Sequence, residues 1–372
     1  MSLSRQLGQF FTTNASYILH GFEKYIADKS VADPFAGNAD LIRWAGGYNP
    51  KSIVGYDIDS RYIDNKTVFK NDSLKNPKAY DFVLTNPPYL YINKMNADKR
   101  GVFANSKHTD LYHVALQQIM TANEGIVIVP VNFLSADNAK YIRDIFFEKF
   151  TIKQINYFTE AVFHDTTYNV IAFYFCEKEQ GVDAVKIPMY IFPEGIKREI
   201  FLEKKYHWQI GGEFLNTIKK QGNTLGVRRL VEADLSAGNT PITLANNHLK
   251  DIRSYNLGDN IAKKIRENII LLKAIDTGTD GGRICLEDVR KYNIDGLVSI
   301  PTSRNQVFLI FENPVSIAVQ QKLIELFNQE ISTAREKYFS LFMTNYRDKN
   351  RKRISFRFAY KLLNYLYENH IQ

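Results

Sequence analysis

Through the first half of the chain, short apolar runs alternate with stretches whose apolar residues recur every three or four positions. The runs Val31-Ala32-Asp33, Ser52 to Tyr56, Phe82 to Thr85, Gly125 to Val129, Lys153 to Tyr157 and Val170 to Phe175 predict strands. Ala15 to Tyr25, Ala39 to Ala45, Leu111 to Met120 and Ala139 to Phe147 predict the helices between them. Strands that are apolar almost throughout are buried on both faces. The alternation therefore predicts an α/β domain, a Rossmann-like doubly wound and mostly parallel sheet covered by helices. In such sheets ligands bind outside the carboxyl ends of the strands, so the residues that follow each strand are where chemistry is expected.

From about residue 181 the clean alternation breaks down. With 372 residues, two domains are expected, one over 1–180 and a mixed α/β domain over 181–372. In the second, Ser316 to Phe327 and Phe356 to Tyr367 predict helices. Leu271 to Gly282 reads as a Gly-rich surface turn after a helix, because no Lys-Ser/Thr follows to make a phosphate cradle.

Charge sharpens this division. Lys and Arg number 29 against 21 Asp and Glu from residue 181 onward, and 19 against 19 before it, so the second half carries the whole net charge of +8. A polyanion docking on that half is the expected consequence, with the densest basic stretch at Arg347 to Arg353 and Arg357 beyond it. No apolar run approaches 18 residues, which argues against a membrane span. The opening residues Met1 to Gln6 lack the apolar core of a secretory signal, and a cytoplasmic setting is expected. Two cysteines, Cys176 and Cys285, are too few for a metal knuckle, and no metal site is expected.

The strand ends carry the candidate chemistry. Asn86-Pro87-Pro88-Tyr89 follows the run ending at Thr85. An amine conjugated to a ring is a poor nucleophile because its lone pair is delocalised, and two acceptors for its hydrogens help to localise that pair. Asn86 supplies a side-chain oxygen and Pro87 a backbone carbonyl, while the prolines stiffen the turn and leave no N–H to compete. Tyr89 offers a flat face to a ring taken out of a nucleic-acid stack. This pattern points to amino-group methylation. Asp33-Pro34-Phe35-Ala36-Gly37 follows the first strand, where Gly37 permits a tight turn against a ligand, but the segment is neither a P-loop nor GxGxxG. Asp57, with Ile58 beside it, follows the second strand and can accept from ribose hydroxyls. Asp72 can accept from an adenine amino group.

Together these residues resemble the S-adenosylmethionine-dependent DNA adenine-N6 methyltransferases of the NPPY type, in the branch where a cofactor domain precedes a target-recognition domain. The resemblance covers roughly residues 7–177. Gln9-Phe10-Phe11-Thr12-Thr13 resembles the family's opening segment, so Phe11 and Thr12 are implied to close over the methionine end of the cofactor. Asp33, Phe35 and Gly37 fall on the first cofactor motif, Asp57 and Ile58 on the ribose-binding end of the second strand, and Asp72 opposite the cofactor's adenine. Asp110-Leu111-Tyr112 matches the start of the next helix and places Asp110 in the cofactor set with Asn86. Gly125 to Pro130, with Phe133, matches the strand that follows. Asn86, Pro87, Pro88 and Tyr89 form the implied catalytic motif, and Phe163 resembles the aromatic residue on the far face of the extruded base, with Tyr168 a rival. The first cofactor motif departs from the pattern in lacking an extra glycine. Leu90 to Thr109 is long and basic, and is expected to lie over DNA, with His108 a phosphate contact or a solvated loop histidine.

The resemblance implies a type II restriction-modification methylase. It would consume S-adenosylmethionine, release S-adenosyl-L-homocysteine, act on double-stranded DNA, and work apart from a cognate restriction endonuclease. RNA adenine and protein glutamine N-methyltransferases use the same tetrapeptide and stand as the alternative. A fused nuclease has no Asp…Glu-x-Lys constellation to support it, and a non-enzymatic DNA-binding protein would not be expected to keep every motif.

Overall fold

A computed structural model describes residues 12–95, 101, 106–163, 169–277, 282–345 and 351–371. The chain forms two compact units, one of residues 1–212 with 347–350 and one of 213–346 with 351–372.

The first unit is built on a nine-stranded sheet in the order β3-β2-β1-β4-β5-β7-β6-β8-β9. The strands are β1 (Ser30–Asp33), β2 (Ser52–Asp57), β3 (Val68–Lys70), β4 (Phe82–Thr85), β5 (Glu124–Pro130), β6 (Phe150–Phe158), β7 (Val170–Glu177), β8 (Ala184–Phe192) and β9 (Ile196–Glu203). The strands from β3 to β5 are parallel, and β7 inserts antiparallel between β5 and β6. This is the doubly wound, Rossmann-like arrangement that the apolar runs predict. Strand order reverses between β1 and β4, which opens a crevice at their carboxyl ends.

Helices fall in the expected gaps: α1 (Ala15–Ile18), α2 (Asp40–Gly46), α3 (Leu111–Gln118), α4 (Asn132–Ser135) and α5 (Lys140–Lys149). The first is much shorter than its periodicity predicts. Gly21 takes φ +83°, which ends the helical run, and the chain resumes as a 3₁₀ turn at Glu23–Tyr25.

Two features escape the pattern. β3 is three residues long and buries only Val68, so no period can show in it. β8 and β9 extend the sheet past residue 180. β8 pairs in parallel with β6 and buries Ile187, Met189 and Ile191 on one side, although Pro188 in its middle argues against a strand in sequence. The expected domain boundary at 180 lies in the turn between β7 and β8, and the compact units divide at Gly212.

In the second unit an antiparallel sheet runs β10 (Val227–Arg229), β16 (Gln306–Phe311), β13 (Ile270–Lys273), β14 (Cys285–Asp288). Alternate residues explain its continuous apolar runs. Ile270, Leu272, Val307 and Leu309 face a core shared with α8 (Ile317–Tyr338) and α9 (Phe356–His370), while Leu271, Phe308 and Ile310 pack with Leu244, Leu257 and Ile265. Ser316 and Ser355 cap these two helices, accepting from the N–H groups of Val319 and Phe358. β11 (Ala237–Asn246), β12 (His248–Leu257) and β15 (Gly296–Val298) make a second sheet. The Gly-rich turn is preceded directly by β13, because α7 (Asp259–Arg266) ends before Ile270. Residues 278–281 of that turn lie outside the described residues.

The basic stretch of this unit is not uniformly exposed, contrary to the phosphate-holding role expected of it. Lys352 is 2% exposed and Arg357 is exposed. Lys352 and Arg353 form β18, and residues 352–354 are bonded to 274–276, where Asp276 accepts from Arg335 at 2.5 Å and from the Lys352 N–H. Burial pushes the Lys352 ammonium down to about 7, opposed by Asp276 and reinforced by Arg335. Residues 346–350 lie outside the described residues.

Candidate active site at the carboxyl ends of the parallel strands

The crevice is organised from its floor. Asp33 ends β1 and is 1% exposed. One of its carboxylate oxygens accepts from the Thr85 hydroxyl at the end of β4, at 2.6 Å, and from the Phe35 N–H at 3.0 Å. Burial raises its carboxyl to about 7, against the pull of those two donors. Asp33 thus spends its acceptor capacity inside the protein, holding the turn after β1 and the end of β4 together.

The turn after β1 is equally tied to β2. Ala36 donates to the Tyr56 carbonyl, and Gly37, at φ +46°, donates to an Asp57 carboxylate oxygen at 2.8 Å. The other Asp57 oxygen accepts from the Asp59 N–H at 2.8 Å, and burial raises the Asp57 carboxyl while these backbone donors oppose the shift. The turn can come this close only because residue 55 is glycine. A Cβ there would lie 2.6 Å from Ile42 Cδ1 and 2.9 Å from Ala36 Cβ.

The next residues are open. Ile58 is 54% exposed, unusual for an isoleucine at a strand end. Asp72 is half-buried and pairs with Lys75 at 3.5 Å. Phe35 is half-buried in the turn above Asp33. Together these ends offer an apolar face and carboxylates to a ligand carrying a flat ring, hydroxyls and an amine.

Asn86 to Tyr89 follow Thr85 directly. The Asn86 amide lies between two hydroxyls, its Nδ2 donating to Thr12 Oγ1 at 3.1 Å and its Oδ1 accepting from Tyr89. The Tyr89 hydroxyl also lies 2.7 Å from the Ile128 carbonyl of β5. Tyr89 is 6% exposed, with the Tyr112 ring edge-on at 6.2 Å. Phe163, beyond β6, is 4% exposed, so neither ring offers an open face in this structure. Pro87 and Pro88 lie between Asn86 and Tyr89 in a segment without regular secondary structure, Pro87 buried and Pro88 half-buried. Phe11 and Tyr168 lie outside the described residues.

Asp110 precedes α3. Its carboxylate accepts from Asn138 Nδ2 at 3.0 Å, and burial raises it to about 6. The long segment after Tyr89 is closed at its base, where Ile92 donates to the Thr109 carbonyl and Leu111 to that of Leu90. His108 does not fit the expectation of a phosphate contact or solvated histidine. It is buried with Nε2 at 2.6 Å from Gln117 Oε1, because the closed base folds it onto α3.

Sequence reasoning passed over Thr85 and the Ile128 carbonyl. A lone hydroxyl ending an apolar strand just before Asn86 was the available signal for Thr85; a carbonyl has none. Among the described residues no group of three or more His, Cys, Asp or Glu side chains could hold a metal ion, and no helix is long and apolar enough to cross a membrane.

The doubly wound sheet is Rossmann-like, the fold of the class to which the comparisons point, the methyltransferases that use S-adenosylmethionine. Residues 32–163 match the family model described as Eco57I restriction-modification methylase. None of the curated proteins matches the chain. Among solved structures, the M protein of the type I restriction enzyme EcoKI is similar at 17% identity, over 50% of this chain and 49% of that one, with a TM-score of 0.38. A modification subunit of a putative type I restriction enzyme from Vibrio vulnificus gives 17%, 77% and 59%, and 0.39. The type IIG restriction endonuclease BpuSI gives 12%, 98% and 58%, and 0.44. The chain thus spans about half to three-fifths of the length of these proteins.

Proposed function

We propose that this protein transfers a methyl group to the N6 amino group of an adenine extruded from duplex DNA, as the modification activity of a restriction-modification system. The observation that carries this reading is the Asn86 amide, fixed between Thr12 and Tyr89 at the end of β4, beside the point where strand order reverses. Bound S-adenosylmethionine supplies a methyl group on a sulfonium. Asp57 accepts from its ribose hydroxyls, Ile58 covers a face of its adenine, and Asp72 accepts from that adenine's amine. Phe35, Gly37, Phe11, Thr12 and Asp110 complete the cofactor contacts.

Asn86 Oδ1 and the Pro87 carbonyl accept the two amine hydrogens of the target, and Pro88 has no N–H to compete. Tyr89 and Phe163 stack on its faces, at about 1–3 kcal/mol per base. A base reaches both rings only after what covers them moves aside. The target nitrogen forms its bond to the methyl carbon as the carbon–sulfur bond breaks, and the product amine gives its extra proton to solvent. Positioning supplies the rate, so no strong base is needed. The basic second unit docks the duplex, with exposed cations such as Arg357 on phosphates. A cognate endonuclease would be a separate chain.

Incubation with labelled S-adenosylmethionine and either unmethylated genomic DNA or total RNA, followed by digestion to nucleosides, tests the proposal. Label in N6-methyldeoxyadenosine is expected. Label confined to RNA, or in a methylated cytosine, would overturn it.

A further inference from the structure

Tyr89 carries two separable groups, a ring and a hydroxyl, and the hydroxyl has a task of its own. It lies between two carbonyl oxygens, Asn86 Oδ1 and the main-chain oxygen of Ile128 at 2.7 Å, with one proton to give. On the other side of the same amide, Asn86 Nδ2 donates to Thr12 Oγ1. A side-chain amide can turn over, exchanging its acceptor oxygen for a donor NH₂ in the same space. Only the oxygen can take a hydrogen from an incoming amine; an NH₂ there would face the amine donor to donor.

We infer that the Tyr89 hydroxyl is a positioning group that keeps the Asn86 amide turned with its oxygen available to the target amine, using the Ile128 carbonyl as a fixed anchor. The inference rests on the methyl-transfer reading above. The anchor is rigid, since Ile128 lies in the middle of β5, paired with Ala172 of β7 and fully buried. Before a target arrives, the hydroxyl donates to the half-buried Asn86 Oδ1. When an amine arrives with its own hydrogen, Asn86 Oδ1 accepts it on its second lone pair while the Tyr89 proton, shared with the Ile128 carbonyl, still faces the amide oxygen. Thr12 holds the NH₂ end throughout, so the two hydroxyls act on one amide from opposite sides.

Tyr89→Phe keeps the ring and removes the hydroxyl, and Thr12→Val removes the other partner. Each is expected to lower kcat at least tenfold. In both variants extrusion of the target should remain within twofold of wild type, read by the fluorescence of 2-aminopurine at the target position, and in Tyr89→Phe so should the Kd for S-adenosylmethionine. The double variant should be little slower than the worse single one, because both act on the same amide. Hydrogen exchange of the Asn86 side-chain NH₂, followed by NMR in the protein without DNA, should rise in Tyr89→Phe. That second readout needs no turnover, so absence of methylation by the wild type would sink the proposed function and leave this inference to be decided by the exchange rate. The inference is overturned if Tyr89→Phe retains kcat within twofold, if extrusion falls in step with kcat, or if the exchange of the Asn86 amide does not change.

Discussion

The carboxylate of Asp33, at the end of β1, accepts the hydroxyl hydrogen of Thr85, at the end of β4, at 2.6 Å in a site closed to solvent. These strands flank the point where strand order reverses, so this bond sets the turn after β1 and the segment that opens with Asn86 side by side.

A buried carboxyl with a raised pKa leaves a mark on stability. Asp33 is at about 7 folded against an ordinary value near 4, so between these the native state holds the proton more tightly than the unfolded chain. Its contribution is present in full below about pH 4 and is lost as pH rises through about 7, a fall of a few kcal/mol, roughly 1.4 per unit. Asp33→Asn keeps the acceptor oxygen for Thr85 and Phe35 without the charge. Denaturant unfolding at pH 5 and pH 8 should show a smaller difference in the variant, which should be more stable than wild type at pH 8. An unchanged pH dependence would refute this.

Asn86→Ala removes the side-chain acceptor and is expected to abolish methyl transfer while the Kd for S-adenosylmethionine stays within a few-fold. Filter-binding of labelled cofactor beside a transfer assay reads both. Retained methylation would dismiss Asn86 from the chemistry.

Gly55→Ala places a methyl against Ile42 and Ala36, under the turn that carries Gly37. Overpacking of this kind costs about 1–3 kcal/mol. Cofactor affinity should weaken about tenfold, the equivalent of 1.4 kcal/mol, because the turn that carries Gly37 must lift. Calorimetric titration tests it, and unaltered affinity would show the turn to be compliant.

Arg143 is wholly buried, and its guanidinium donates to the carbonyls of Phe133, Ala136 and His207 at 2.7–2.9 Å. Arg143→Met fits the space but orphans three carbonyls, and a loss of about 3 kcal/mol or more is expected. A change below about 1 kcal/mol in denaturant unfolding would mean that water replaces the guanidinium.

Lys352 and Arg357 belong to one basic stretch but should behave oppositely. Lys352→Met should leave DNA affinity unchanged and raise stability at pH 7. With its folded value near 7 and an ordinary value near 10.5, Lys352 penalises the native state fully below pH 7 and progressively less up to about 10.5. Arg357→Ala should weaken DNA binding and reduce the salt dependence by about one contact. Loss of DNA affinity in Lys352→Met, with the fold intact, would contradict the burial.

Strands β1, β2 and β4 to β7 were legible because each is a short, largely apolar run, and the candidate chemistry was legible because it sits at the ends of those runs: Asp33, Asp57 and Asn86 are all read from their place at a strand end. Period and adjacency are local properties, and the amino-acid sequence by itself determined them. Tertiary structure decided what depends on a distant partner. Ser52 to Asp57 announces a strand, but nothing near Asp33 in sequence announces Thr85, 52 residues on. Pro188 hid β8, which persists through its pairing with β6. Lys352 and His108 look solvated in a basic stretch and in a long loop, yet both are buried, since strand pairing around each folds it inward. The Tyr89 hydroxyl is the sharpest case. Its ring was readable from the tetrapeptide, while its proton answers to a carbonyl on β5, and a main-chain carbonyl is the same group at every residue until the fold selects one.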